Sequence, residues 1–136
     1  GMRIGYAFGS ETLISTLEAV KNPYNSYTMD SLALAVGEAS IRDEAYFRET
    51  CRKVAATRDR AADELRALGF EVTPSLTNFL FATHPKKAAP EIFSALREKG
   101  IFIRYFKLPR IDNHLRITVG TDEQMDALIA ALKQIL

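Results

Sequence analysis

An α+β architecture, in which a short sheet is covered on one side by helices, follows from three patterns in these 136 residues. Residues 43–136 alternate segments of helical period with short segments of period two, as expected of a self-contained unit of that kind. Within them Leu115, Ile117 and Val119 alternate with Arg116 and Thr118, so one side of that strand faces apolar surroundings and the other does not. A closing helix carries a capping box from Thr121 to Gln124 and an apolar stripe of Met125, Leu128, Ile129, Leu132 and Leu136, one face for a sheet. Residues 1–42 differ: a strand and two helices are too little to close a core of their own.

Taken in order, residues 3–8 read as a short strand ended by Gly9. Ser10 caps a helix with Leu13, Leu17 and Val20 on its apolar side, and Asn22-Pro23 stops it, since proline disfavours helical geometry in the residue before it. After a turn, a second helix spans 28–40 and is apolar on several sides, a pattern that requires burial between layers. Asp43 opens a long helix to residue 68. Its stripe is Phe47, Cys51, Val54, Ala55, Ala62, Leu65 and Leu68, with Gly69 as the stop. Segments 70–73 and 78–83 form a hairpin around Pro74-Ser75, followed by a helix with Pro90 in its first turn and Gly100 past its end. Segments 101–106 and 115–119 supply two further strands.

Composition narrows the function. The 18 Lys plus Arg against 17 Asp plus Glu leave a net charge of +1, too balanced for a polyanion-binding surface, so nucleic acid is not an expected partner. No apolar run approaches the roughly 20 residues of a membrane helix. Cys51 is the only cysteine, which excludes an intrachain disulfide and, with no secretory leader, agrees with the cytoplasm. His84 and His114 stand apart from any carboxylate or thiol at ligand spacing, so no metal site is expected.

Several strings are more specific. Arg3-Ile4-Gly5-Tyr6-Ala7 opens the chain, Lys21-Asn22-Pro23-Tyr24-Asn25 forms a rigid turn, Asn78-Phe79 starts a strand, Gly100-Ile101 leads to Arg104, and Leu115-Arg116-Ile117-Thr118-Val119-Gly120-Thr121 nearly closes it. In this order they resemble the carboxy-terminal portion of a pyridoxal-phosphate aminotransferase of fold type I, in its histidinol-phosphate branch. Threonine-phosphate decarboxylase and other aminotransferases share parts of the pattern. The resemblance implies that residues 43–136 are the small domain and residues 1–42 a remnant of the large, cofactor-binding domain.

It also implies roles. Arg104 and Arg116 would bind the substrate phosphate, Arg3 the cofactor phosphate, and Tyr24, Asn25 and Asn78 would line the substrate cleft. Guanidinium suits such groups because it offers two parallel donors to an oxyanion. Read from pattern alone, Arg116 is equally an arginine on a solvated strand face, Arg104 one snorkelling over Phe102 and Phe106, Asn78 a hairpin cap and Tyr6 a core residue. The family's aldimine lysine precedes the Arg3 stretch, where this chain has Gly1-Met2, read as a tag remnant before a start codon. The pyridine-nitrogen acid, the stacking ring and the phosphate loop are absent as well, and no catalytic residue is assigned. The expectation is a homodimeric enzyme portion, inactive alone, whose parent transfers an amino group between histidinol phosphate and 2-oxoglutarate. The alternatives are a non-catalytic small-anion-binding or assembly module and a structural domain without a ligand.

Overall fold

The computed structural model describes residues 3–136, so the reading of Gly1 and Met2 lies outside the described residues. The chain divides into two compact units, residues up to Arg48 and residues Glu49–Leu136.

The first unit holds α1 (Glu11–Tyr24), α2 (Ser31–Arg42) and the start of α3 (Glu44–Ala67). The Ser10 hydroxyl caps α1 by accepting from the Leu13 amide at 3.4 Å. Contrary to expectation, α1 runs through Pro23. Proline so close to the end removes a single N–H, and the ladder resumes with the Asn25 amide donating to the Lys21 carbonyl at 2.9 Å. The carboxylate of Asp30 accepts from the Ala33 amide at 2.7 Å and starts α2 a few residues later than its apolar pattern suggested. Residues 3–10 form no strand, a correction with a simple cause: a strand needs a hydrogen-bonding neighbour, and the described residues of this unit contain none. Tyr6, expected in a core, is exposed, and α1 buries none of its apolar stripe. No helix among the described residues is long and apolar enough to cross a membrane.

In the second unit, β1 (Glu71–Thr73), β2 (Phe79–Thr83), β3 (Arg104–Tyr105) and β4 (Leu115–Thr118) form a sheet of order β1-β2-β4-β3, antiparallel throughout. The inner row pairs Val72 with Ala82, Ala82 with Leu115, and Leu115 with Tyr105. Against it pack α3, α4 (Ala89–Glu98) and α5 (Asp122–Ile135) through Leu65, Ile92, Leu96, Met125, Leu128 and Leu132. Each such side chain, fully buried, stabilises by about 1.5–3 kcal/mol.

Both glycine stops adopt left-handed geometry, Gly69 at φ 90° and Gly100 at φ 77°. Each lets the next amide reach back to the helix, Phe70 to the Leu65 carbonyl at 3.1 Å and Ile101 to the Leu96 carbonyl at 2.9 Å. The capping box at Thr121 and Gln124 is present. Arg60 ties α3 to α5 by donating to Asp126 at 2.6 Å and Asp122 at 3.0 Å, and the Thr57 hydroxyl donates to Asp122 at 2.8 Å. These bonds hold Asp122 below its ordinary carboxylate range, Thr57 contributing most and Arg60 next.

Three packing expectations are corrected. Phe47 and Cys51 are exposed, because α3 buries residues only from Thr57 onward, where the sheet lies beneath it. On α5, Ile135 is buried and Leu136 exposed, since the helix ends there. Strand 101–106 shrinks to β3, and Ile101 and Ile103 pack against the core without pairing.

Candidate functional site

The sheet's outer face, opposite α3, α4 and α5, collects the residues with chemistry. Alternation sends Leu80, Ala82, Leu115 and Ile117 inward, leaving Phe79, Phe81, Arg116 and Thr118 outward. The register places Arg116 opposite Phe81 on one side and Arg104 on the other. The two arginines are therefore direct cross-strand neighbours on one face.

Their surroundings are aromatic. The Arg116 guanidinium carbon lies 5.3 Å from the Phe79 ring centroid and 5.6 Å from that of Phe106, and the Arg104 carbon lies 5.7 Å from Phe106. Neither arginine forms an ion pair among the described residues. Arg116 is half-buried, and its buried Nε donates to nothing among the described residues. Beside it, the His114 ring stacks on Phe81 at 4.6 Å with its Nδ1 likewise unpartnered. A cation held by rings and not by acids keeps its donors for an anion.

The loop before β4 is pinned from outside. Asn113 accepts from the Ala89 amide at 2.9 Å through Oδ1 and donates to the Thr83 hydroxyl at 3.1 Å through Nδ2. Because Ala88 offers α4 no side-chain cap, Asn113 serves as one from a distance.

Asn78 precedes β2, and its carbonyl accepts from the Val119 amide at 2.9 Å. It does not cap the hairpin. Ser75 does, donating to the Phe79 carbonyl at 2.7 Å and accepting from the Thr77 amide at 3.1 Å. Arg104, Arg116 and Asn78 thus lie in the second unit, and Arg3, Tyr24 and Asn25 in the first. Arg3 is exposed with φ 59°, beside an apolar groove lined by Ile4, Tyr6, Met29, Leu34 and Ile41. Tyr24 ends α1 with 89% of its surface exposed, and Asn25 closes that helix through its backbone.

Sequence reasoning missed Phe79, Phe106 and His114 as the setting of Arg116. Period two carried one step back from Arg116 reaches His114, so that signal was present. Asn113 left none, because its partners are 24 and 30 residues away. Among the described residues no cluster of three or more His, Cys, Asp or Glu could hold a metal ion.

The protein compares closely with known enzymes. It is 53% identical over 135 residues to a histidinol-phosphate aminotransferase of Marinomonas sp. (strain MWYL1), with 98% of this chain aligned to 38% of the relative. Against histidinol-phosphate aminotransferase 2 of Dechloromonas aromatica (strain RCB) identity is 54%, covering 99% of this chain and again 38% of the relative. The crystal structure of histidinol-phosphate aminotransferase from Sinorhizobium meliloti in complex with pyridoxal-5'-phosphate superposes with a TM-score of 0.79 at 31% identity, over 89% of this chain and 34% of that one. The chain spans about 38% of the length of the curated relatives it matches. Its architecture is accordingly that of the small domain of a fold-type-I aminotransferase with a preceding helical segment. The model of the aminotransferase class I and II family matches residues 1–132, and the chain belongs to that family.

Proposed function

We propose that this chain is the substrate-anion-binding portion of a pyridoxal-phosphate-dependent aminotransferase that moves an amino group between histidinol phosphate and 2-oxoglutarate. The observation that carries the reading is the cross-strand pair Arg104–Arg116, which shares an aromatic wall and has no acid partner among the described residues. Two guanidinium groups match the charge of a phosphomonoester dianion, and the similarity to histidinol-phosphate aminotransferases points to that class of substrate. Asn78 of the same unit would join this site, and Tyr24 and Asn25 of the first unit keep the substrate-contacting role that the resemblance implies.

The cofactor itself fits poorly on the residues present. Holding pyridoxal phosphate calls for a sheltered amine and a phosphate cradle, whereas Lys21, Lys53, Lys86, Lys99, Lys107 and Lys133 are exposed and Lys87 half-buried. Arg3, assigned to the cofactor phosphate, is exposed as well. On this reading the polypeptide binds and orients substrate but does not transaminate alone. Its partner is a second copy, joined through the first unit, where Leu13, Leu17, Val20 and Leu34 are exposed.

The test is a titration of the 136-residue chain with inorganic phosphate, followed through the amide and arginine Nε–Hε signals of β3 and β4. An open pair should bind with millimolar-range affinity, about 4 kcal/mol, and Arg116→Ala should weaken it at least about tenfold. An unchanged response in Arg116→Ala would leave these arginines as ordinary residues of a solvated strand.

A further inference from the structure

We infer that Phe106 is a positioning residue that couples Arg104 and Arg116 into one receptor for a tetrahedral oxyanion; this rests on the anion-binding reading above. Like charges placed directly opposite each other on antiparallel strands repel, and among the described residues no carboxylate pairs with either arginine. Two such side chains would separate into solvent unless something of opposite polarity attracted both. Phe106 is that group. Its ring is within 5.7 Å of the Arg104 guanidinium carbon and 5.6 Å of the Arg116 carbon, so the negative π face reaches both cations. Phe79 holds only Arg116, at 5.3 Å, which fixes one arm of the pair but cannot couple it to the other.

The chemistry of the restraint decides what the pair can bind. A carboxylate neighbour would consume guanidinium donors, whereas a ring provides attraction and leaves donors such as the orphan Nε of Arg116 for a ligand. One arginine is enough for a planar carboxylate, which accepts two parallel bonds. A phosphate dianion presents more oxygens and twice the charge, so it gains from the second guanidinium only if both are held together. Phe106 therefore contributes preference for a phosphomonoester over a carboxylate. Its position explains this: residue 106 follows β3 on the same outward phase as Arg104, across from the loop that Asn113 secures.

The experiment compares Phe106→Met, Phe106→Leu and Phe106→Tyr with the parent chain, titrating inorganic phosphate and, separately, acetate. The readouts are the Nε–Hε signals of both arginines, with the amides of Leu80 and Ile117 as the check on folding. In the parent chain both arginines should report one common phosphate affinity, tighter than that for acetate. Phe106→Met and Phe106→Leu should bind phosphate about two- to fivefold more weakly, the equivalent of roughly 0.5–1 kcal/mol for the exposed cation–π contact to Arg104, since Phe79 still holds Arg116. Acetate affinity should hardly change, and Phe106→Tyr should restore the phosphate value. If both aliphatic variants keep the parent's phosphate affinity and preference, or if Phe106→Tyr fails to restore them, the positioning role is wrong while the anion site stands. If the parent chain shows no phosphate response at either arginine, the anion-binding reading fails and this inference falls with it. Should Phe106→Leu disturb the core signals, Phe106→Met, closer in volume, decides the question.

Discussion

Asn113→Ala should destabilise the second unit by about 2 kcal/mol, far more than a loop substitution ordinarily does. The side chain accepts from the Ala89 amide at 2.9 Å and donates to Thr83 at 3.1 Å. Ala89 is only 1% exposed, Ala88 offers no cap, and Pro90 has no amide to give, so removing the acceptor strands a buried donor at the start of α4. A buried unsatisfied donor costs roughly 1–3 kcal/mol and loss of a helix cap typically about 1, two measures of one effect. The partly exposed bond to Thr83 adds less than about 1 kcal/mol. With a urea slope near 2 kcal/mol/M, the midpoint should fall by about 1 M at unchanged slope. Amide signals of Leu80 and Ile117 during a urea titration report on this unit alone. Asn113→Asp keeps the acceptor and should retain most of the stability. A loss below about 0.5 kcal/mol for Asn113→Ala, or equal losses for both variants, would refute the capping argument.

Further expectations concern acid, cofactor and assembly. Asp122 is held below its ordinary 3.8, by the Thr57 hydroxyl first and Arg60 next, and Glu123 below its ordinary 4.5, chiefly by the Thr121 hydroxyl. The stability each contributes is fully present above those ordinary values and lost as pH falls through the lower folded-state values; Asp122→Asn should flatten the acid limb of a urea-midpoint profile, and an unchanged limb would sink the assignment. Mixed with pyridoxal phosphate and reduced with borohydride, the chain should show slow, scattered lysine labelling; stoichiometric labelling of one lysine would overturn the claim that it holds no cofactor amine. Sedimentation should show a dimer or larger, because Leu13, Leu17 and Val20 are uncovered, and a monomer at micromolar concentration with protected amides in α1 would contradict it.

What the sequence disclosed depended on whether a residue's partners were local. Gly69 and Gly100 were readable as stops because the left-handed cap involves only the preceding turn. The Thr121–Gln124 box was readable for the same reason. By contrast, Leu13 sits on an apolar stripe, and Cys51 on the first part of one, that nothing in the described residues covers, and a stripe records what a helix was selected to pack against without supplying the partner. Residues 3–8 fail as a strand on the same ground. The site divides similarly: period two put Arg116 on the outer face, but its rings come from β2 and from beyond β3, and only the register brings them together.

That register also separates stability from binding along a single strand. Leu115 and Ile117 are almost fully buried against the helices, so changes there should act on folding through lost burial and a residual cavity. Arg116, one residue from each, contributes little to that core. Among the described residues it forms no ion pair, its Nε is unpartnered, and its neighbours on the outer face are rings and a second cation. A half-buried arginine in such a setting is poorly explained by stability, since an orphaned charged donor is itself costly. On the proposed reading an anion would supply the missing acceptors, which is the physical argument for testing ligand binding on the outer face of the sheet.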